Sequence, residues 1–555
     1  FLINATYLDQ QGVLKGTSYD RFNFRANSSY KLFDRLEVGL NLSTSSSVAD
    51  GIETEGKEQP YMRLITMEPT VAADANYRSH PNGLIAPDPN PIRQSELMTD
   101  DTKLNRTLGN AFATLDIIPG LKLRGQVGLD LRNQSFTWFK PMDLNKKARR
   151  EGRNWTRNSW KSLYQGTLDY NRSFGRHTIG AMAGISYEKY FSKYVDMQSW
   201  DFATDDIHTF NTAATLRSWN DTETEWALAS YFGRIQYNYG DRYLVSASLR
   251  RDGSSRFGKD NKWGTFPSVS AAWRISEESF MQSVGWMSNF KIRASWGQTG
   301  NDNNGNYSSF GTLSNRNYAY GGQLAFGFAP SSPDNPTISW ETTTTTNLGV
   351  DFGFLANRIT LAVDVYQNDT EDLLLQVPAP AITGFKGSLT LNSGAIQNRG
   401  IEIELASTNV RSAALGGFTW RTMFNLSRNE NEVKSLGYGI QSIIGELRSQ
   451  PTHITKPGLP IMSYYLYEQD GLYTEADMED PNVPKYDNAE AGNEKIVDHN
   501  GDGIITDLDR TVIGDNLPDA IMGLTNTFQI GNFDLSILLT ASVGYDLSLI
   551  HISEP

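Results

Sequence analysis

Residues 357–370 have the sequence Asn-Arg-Ile-Thr-Leu-Ala-Val-Asp-Val-Tyr-Gln-Asn-Asp-Thr, and this stretch decides the fold. Its apolar side chains recur at every second position, at Ile359, Leu361, Val363 and Val365. A period of two places them on one face of a β-strand and the more polar residues on the other. Residues 348–352, Leu-Gly-Val-Asp-Phe, repeat the pattern, and the short turn 354–357 joins the two copies. The sequence therefore predicts a hairpin with one apolar and one charged face.

The same alternation recurs along the chain and predicts about 17 strands of roughly 9 to 12 residues, a length that crosses a bilayer at a tilt. Short connections, such as 118–121 and 172–176, alternate with long ones, such as 134–160 and 191–225. An up-and-down barrel has short turns at one rim and long loops at the other. A Greek-key sandwich has no reason to keep this order. The predicted fold is all-β, a transmembrane antiparallel up-and-down β-barrel.

The polar faces of the predicted strands carry too much charge for a dry core. In the stretch 122–132 the polar positions are Lys122, Arg124, Gln126, Asp130 and Arg132. A watered lumen accepts such residues, while the alternate apolar side chains face lipid. The chain has no apolar run of about 18 residues, so its sequence encodes no transmembrane helix.

Composition excludes several classes of function. The net charge of −13 argues against a nucleic-acid partner, because phosphate contacts need clustered Lys and Arg. Cysteine is absent, which removes disulfide and thiolate chemistry. The six histidines are scattered, so no hydrolytic triad or His-based metal site is predicted. Glu402 and Glu404 share a strand face and could form a glycosidase pair, although a lumen-lining face explains them better. No catalytic residue is assigned.

One short connection, 276–289, is predicted to hold a short helix. Ser276 can cap it, and Phe280, Met281, Val284 and Met287 follow at helical spacing. A structured loop is the alternative.

Residues 498–509 have the donor spacing of a calcium-binding loop. The predicted ligands are Asp498, Asn500, Asp502, the carbonyl of Ile504, and Asp509. Gly503 occupies the sixth position, where such loops turn sharply. An Asx-rich surface turn is the alternative. If calcium binds, its role is expected to be structural.

Four tryptophans in the predicted long loops are candidates for substrate binding: Trp155, Trp160, Trp200 and Trp219. Aromatic rings present flat apolar faces on which a sugar can stack. Packing within the loops is the alternative for each of them.

Several ordered stretches resemble the SusC/RagA-like branch of TonB-dependent outer-membrane transporters. They are 19–23 (Tyr-Asp-Arg-Phe-Asn), 251–258 (Arg-Asp-Gly-Ser-Ser-Arg-Phe-Gly), 294–301 (Ala-Ser-Trp-Gly-Gln-Thr-Gly-Asn), 398–402 (Asn-Arg-Gly-Ile-Glu) and the acidic loop 498–509. The resemblance implies a 22-stranded barrel around a plug domain. It also implies outer-membrane import of oligosaccharide, sometimes peptide, energised through the TonB complex and assisted by a SusD-like lipoprotein.

The resemblance leads us to expect that residues 1–547 form a partial barrel with long extracellular loops, without the plug or the TonB-contacting segment. Residues 548–555 do not resemble the family, and we expect an artefactual tail there. Two other functions stay open on the residues alone. One is a passive porin or adhesin barrel, and the other is a secreted, calcium-stabilised, β-rich glycan hydrolase.

Overall fold

The computed structural model describes residues 1–51, 90–145, 147–378, 382, 385, 388–412, 417–437, 439–447 and 450–547. The predicted tail at 548–555 and residues 52–89 of the first long connection lie outside this part of the chain. The two α-helices within it, Pro91–Leu97 and Glu475–Glu479, are short. No helix among the described residues is long and apolar enough to span a membrane.

Strands make up most of the described chain, as the alternation predicts. They are β1 (Leu2–Gln11), β2 (Ser18–Leu32), β3 (Leu36–Asp50), β4 (Thr99–Ile118), β5 (Leu121–Lys140), β6 (Glu151–Phe174), β7 (His177–Phe202), β8 (Ala213–Tyr239), β9 (Tyr243–Ser254), β10 (Trp263–Arg274), β11 (Met287–Asn301), β12 (Thr312–Asn315), β13 (Tyr318–Tyr320), β14 (Gln323–Ala325), β15 (Phe328–Ser332), β16 (Glu341–Phe354), β17 (Ile359–Glu371), β18 (Leu374–Pro378), β19 (Ser388–Asn392), β20 (Ala395–Ser412), β21 (Phe418–Ser435), β22 (Ile443–Leu447), β23 (Gln450–Thr455), β24 (Ser463–Tyr467), β25 (Gln469–Leu472), β26 (Glu494–Ile496), β27 (Arg510–Gly514), β28 (Ala520–Ile530) and β29 (Phe533–Val543). Within the described ranges, 17 of these strands belong to the main sheet. The predicted strand number and the all-β class are confirmed.

The first of two compact units comprises residues 1–171, 181–233 and 252–256. Its strands β1 to β6 pair antiparallel in chain order. The strands β6, β7 and β8 run for 24, 26 and 27 residues, far beyond the predicted length. The predicted loops 134–160 and 191–225 are therefore wrong as loops, because most of their residues continue the strands. Polar side chains dominate there, so these strand ends lack the regular apolar series on which the strand assignment relied.

Alternation gives the sheet of this first unit two different faces. On β5 the side chains of Val127, Leu129 and Leu131 lie on one face and are 49%, 43% and 42% exposed. Gln126 and Asp130 lie on the other face. Large apolar side chains left this exposed in a row are what a lipid-facing surface requires, and they would be costly in water.

The second unit comprises residues 172–180, 234–251 and 257–555. Within it β10, β11, β16, β17, β20, β21, β28 and β29 pair antiparallel in this order. The predicted hairpin is confirmed, because Leu348 of β16 lies opposite Val365 of β17 on the apolar face, and Gly349 lies opposite Asp364 on the polar face. The shorter strands β12 to β15, β18, β19 and β22 to β27 form small sheets within the connections.

Buried apolar side chains of the described chain gather at the ends of strands that lead into long connections. In the first unit Phe139 packs edge-on against Phe202, with ring centroids 5.3 Å apart. In the second unit Trp340 packs against Phe257 and Phe266 at 5.1 and 5.3 Å. Each cluster is a small core that holds a connection against its strands, so the long connections are structured parts of the fold.

The predicted helix at 276–289 is wrong. The structure has two single 3₁₀ turns, Ile275–Glu277 and Ser279–Met281, and the strand β11 begins at Met287. Glu278 separates the turns in an extended conformation, with φ −78° and ψ 149°. Its carboxylate accepts hydrogen bonds from the Tyr243 hydroxyl at 2.6 Å and the Trp273 indole N–H at 3.1 Å. These contacts, which the helical spacing could not reveal, hold Glu278 out of a helix and lower its pKa.

Candidate functional site

A polar pocket of about 600 Å³ lies on the polar face of the first unit. Charged and amide side chains of β2 to β7 line it, among them Arg25, Asn27, Arg106, Asp130, Lys161 and Glu188. Arg106 Nη2 lies 2.7 Å from Asp130 Oδ2, and Lys161 Nζ lies 3.3 Å from Glu188 Oε2. Because these oppositely charged side chains lie on adjacent strands and pair with each other, the pocket is hydrated and has no large excess of either charge.

Beyond this pocket, toward the long connections, an aromatic cluster occupies the same face. It consists of Phe136 of β5, Trp155 of β6 and Tyr194 of β7. The Phe136 and Trp155 rings stack at 5.5 Å, and Trp155 lies 5.8 Å from Tyr194. Because Trp155 and Lys161 are six residues apart in a strand whose pairing with β5 shows no bulge, both side chains point to the polar face.

Charged groups frame the aromatic cluster. Arg153 donates from Nε and Nη2 to the two carboxylate oxygens of Asp196, at 3.0 and 2.9 Å. The guanidinium of Arg157 lies 5.0 Å from the centroid of the Tyr194 ring. Such a surface combines flat apolar faces with hydrogen-bond donors and acceptors, and it can bind a polar chain such as a sugar or a peptide.

Trp160 and Trp219 do not belong to this cluster. Trp160 is five residues from Trp155 in β6, so alternation turns it to the opposite face. There it stacks with Phe191 at 6.1 Å and lies 5.8 Å from Lys189. Trp219 belongs to β8 and is 71% exposed. The structure does not bring Trp160 or Trp219 into this cluster, and substrate binding by either of them stays a prediction.

Trp200, near the end of β7, lies between two guanidinium groups. The Cζ atoms of Arg149 and Arg217 are 4.2 and 4.5 Å from the centroid of its ring. Cation–π contacts of this kind compete with a sugar for the same ring faces. Of the four predicted tryptophans, Trp155 is the one that belongs to the aromatic cluster, and substrate binding by any of the four stays a prediction.

The polar face of the second unit carries an ionic network centred on Arg293 of β11. Its Nη1 and Nη2 atoms donate to the carboxylate oxygens of Asp364 at 2.6 and 2.7 Å, and Nε donates to Asp351 at 3.0 Å. Asp364 belongs to β17, so the Arg293 side chain crosses the whole width of β16. It passes over Gly349, where a Cβ atom would lie 2.5 Å from Arg293 Cζ. Glu402 lies opposite Asp364 on this same face, as expected of a lumen-lining residue.

Residues 498–509 form a tight turn with its oxygen atoms turned inward. Asp498 accepts hydrogen bonds from the backbone N–H groups of Gly501 and Gly503 at 2.7 and 2.8 Å. Asn500 and Asp502 each accept one from the residue two positions on. The donor set is all oxygen, which fits calcium chemically. However, no three His, Asp or Glu groups of the described chain converge closely enough to hold a metal ion. Calcium binding here stays a prediction.

Asp509, the predicted twelfth-position ligand, is completely buried. Its carboxylate accepts hydrogen bonds from the backbone N–H groups of Thr506 and His499 at 2.7 and 3.1 Å. These bonds stabilise the charged form and lower the pKa of Asp509. The Asp509 side chain therefore joins the beginning and the end of the turn through hydrogen bonds to their backbone. Ile504 is 58% exposed, and its backbone N–H donates to Asp502.

Sequence reasoning missed Phe136, Tyr194 and the Arg153–Asp196 pair. The available signal was the alternation of Arg153, Trp155 and Arg157, a period of two in residues assigned to a loop. Only the register between β5 and β6, which sets Phe136 opposite Trp155, brings the cluster together.

Comparisons with known proteins agree with this geometry. Residues 66–453 match the family described as TonB dependent receptor-like, beta-barrel. TonB-dependent receptor P39 of Formosa agariphila is 31% identical over 99% of this chain and 55% of its own length. TonB-dependent receptor SusC of Bacteroides thetaiotaomicron is 30% identical over 98% of this chain and 56% of its own. A structure of the RagAB peptide transporter superposes with a TM-score of 0.80 at 24% identity, covering 97% of this chain and 59% of that one, and shows the same fold.

The chain spans about half the length of the curated relatives it matches. Members of the matching family are outer-membrane β-barrel transporters and receptors rather than enzymes, which removes the hydrolase alternative. In such barrels the polar face lines the lumen and the apolar face contacts lipid. The match covers most of the chain, from 66 to 453, and the chain therefore belongs to the TonB-dependent receptor family of the outer membrane.

Proposed function

We propose that the protein imports a nutrient across the outer membrane with energy delivered through TonB. Family membership and the alternation of polar and apolar faces support this proposal. The observation that carries it is the aromatic cluster around Trp155, which lies on the same face as the polar pocket, at the strand ends where the long connections begin. In an outer-membrane barrel long connections are extracellular, so the cluster stands where a cargo would enter.

The proposed cargo is an oligosaccharide, with a short peptide as the second candidate. Trp155 and Tyr194 offer aromatic faces, and the Arg153–Asp196 pair offers donors and acceptors beside them. This mixture suits a sugar, which has apolar ring faces and polar edges. A peptide is kept because the RagAB structures of similar fold are of a peptide transporter.

A SusD-like lipoprotein is the proposed partner on the extracellular side. The long connections offer it a folded surface, because they contain small sheets of their own, such as β22, β23, β24 and β27. The relationship to SusC supports this choice of partner. A passive porin or adhesin barrel would need neither this partner nor TonB.

The cargo proposal is tested with the full-length receptor and its lipoprotein partner, purified together and exposed to a panel of oligosaccharides and peptides. We expect one class to bind, and the Trp155→Ala variant to bind it at least tenfold more weakly. Trp160→Ala is the matched control, because it removes the same side chain from the same strand on the opposite face. If neither class binds, or if both variants lose equal affinity, the assignment of cargo and site is wrong.

A further inference from the structure

The apolar face of three neighbouring strands in the second unit ends at one level, and Arg428 of β21 occupies the fourth position of the same row. Leu348 of β16 lies opposite Val365 of β17, which lies opposite Ile401 of β20. The next row toward the long connections is polar and consists of Thr346, Gln367, Arg399 and Glu430. In an outer-membrane barrel, an edge of this kind on the side of the long loops marks the headgroup level of the outer leaflet.

A groove of about 620 Å³ crosses this edge. Its apolar half is formed by Leu348, Val365 and Ile401, of which the first two are 54% and 51% exposed. Its polar half is formed by Arg399, Arg428 and Glu430, with Gln367 and Thr346 beside them. The volume is in the range of sites that hold a small ligand. Its two halves fit a molecule that is apolar at one end and polar at the other.

The polar half carries more positive than negative charge. Arg399 Nε and Arg428 Nη2 donate to the two oxygens of Glu430, at 2.8 and 3.0 Å. The single carboxylate of Glu430 thus accepts hydrogen bonds from two guanidinium groups and balances only one of their two positive charges. Within the described residues these are the only hydrogen bonds of the two arginine side chains, so most of their N–H groups remain available. The side chains are 63% and 55% exposed.

The other carboxylates of the next row, Asp369 and Glu432, have partners of their own. Glu432 accepts a hydrogen bond from Lys434 Nζ at 2.6 Å. Asp369 lies one row closer to the long connection and does not line the groove. It accepts hydrogen bonds from the amide groups of Gln367 and Gln397, at 2.7 and 2.6 Å. Two arginines beside an apolar floor, at headgroup level, therefore face the membrane with an unbalanced charge.

We propose that this groove binds the phosphorylated headgroup of an outer-leaflet lipid. Arg399 and Arg428 contact the phosphate, because guanidinium groups pair with phosphate through parallel hydrogen bonds. One acyl chain lies along Leu348, Val365 and Ile401. A neutral lipid would leave the two arginines without an anionic partner, and free phosphate would make no use of the apolar floor. The proposal needs only the membrane position of the barrel and is independent of the proposed import.

The test is native mass spectrometry of the purified full-length receptor in detergent, with diphosphorylated lipid A as the added lipid. We expect a bound lipid that survives delipidating washes, and at least a fivefold lower bound fraction in the Arg399→Gln/Arg428→Gln variant. Arg399→Lys/Arg428→Lys keeps the charge but loses the guanidinium fork, and we expect an intermediate loss. Both side chains are more than half exposed, so the barrel should fold normally, which its heat-modifiable migration in gels verifies.

Arg411→Gln/Arg421→Gln is the matched control. It removes the same charge from the same two strands, β20 and β21, near their short-turn ends, and should bind lipid A as the unaltered protein does. Equal loss in both double variants would show nonspecific charge attraction and overturn the proposal. Equal binding of dephosphorylated lipid A would overturn it as well, and so would displacement of the lipid by 10-fold excess inorganic phosphate.

Discussion

Replacing Gly349 with alanine should break the ionic network that joins three strands of the second unit. Arg293 of β11 reaches Asp364 of β17 only because the strand between them has no side chain at this position. A Cβ atom there would lie 2.5 Å from Arg293 Cζ and 2.7 Å from Asp364 Oδ1. These distances are far inside van der Waals contact, so the guanidinium group must leave its position.

The expected loss follows from the bonds that are broken. Two charge-assisted hydrogen bonds join Arg293 to Asp364, and each is worth about 1.5 to 3 kcal/mol when shielded from water. The two side chains are 31% and 20% exposed, so water replaces part of this energy. We therefore expect Gly349→Ala to lower the free energy of unfolding by about 2 kcal/mol.

The assay is guanidinium-induced unfolding of the full-length receptor in lipid vesicles, followed by tryptophan fluorescence. Gly125→Ala is the control, because a Cβ atom at Gly125 of β5 meets nothing within 4 Å. We expect its effect to stay within about 0.5 kcal/mol. In an Arg293→Ala background Gly349→Ala should also cost little. If its full cost persists in that background, the loss does not come from Arg293 and the reasoning is refuted.

Three further predictions concern the loop 498–509 and the tryptophans. Millimolar calcium should raise the midpoint of thermal unfolding of the full-length receptor. The Asp498→Ala variant should show no such rise. If calcium leaves the midpoint of the unaltered receptor unchanged, the loop does not bind calcium. Folding lowers the pKa of Asp509, so its ionised carboxylate stabilises the folded loop at pH values above the unfolded pKa of about 3.9. This stabilisation is lost as the pH falls through the lower pKa of the folded state. Protease should therefore cut this loop faster below about pH 4, and Asp509→Asn should remove that pH dependence; identical cleavage of both proteins at every pH would count against it. Trp200→Phe, which keeps an aromatic ring between its two arginines, should leave cargo affinity within twofold in a binding titration, and a tenfold loss would assign Trp200 to the site.

The sequence predicted those parts of the fold that depend on local alternation. A strict period of two is followed by Ile359, Leu361, Val363 and Val365. This pattern predicts the strand and also which of its two faces is apolar. The order of short and long connections gives the up-and-down pairing. Both signals are properties of neighbouring residues, so they can be seen without knowledge of the folded chain.

The failures concern features that depend on distant residues. Strand ends beyond the bilayer have no lipid to face, so residues 151–160 lost their apolar series and were assigned to a loop. Glu278 was assigned to a helix because its contacts with Tyr243 and Trp273 come from other strands. The cluster around Trp155 needs the register of β5 against β6, which only the folded sheet provides.

Energised import is the central claim, and accumulation of labelled cargo in cells tests it most directly. Cells that express the full-length receptor and its lipoprotein are given a fluorescent form of the cargo found by the binding panel, with and without a functional TonB. We predict surface binding in both strains and accumulation inside the outer membrane only when TonB is functional. Equal accumulation in the strain without TonB would show a passive pore and contradict the account.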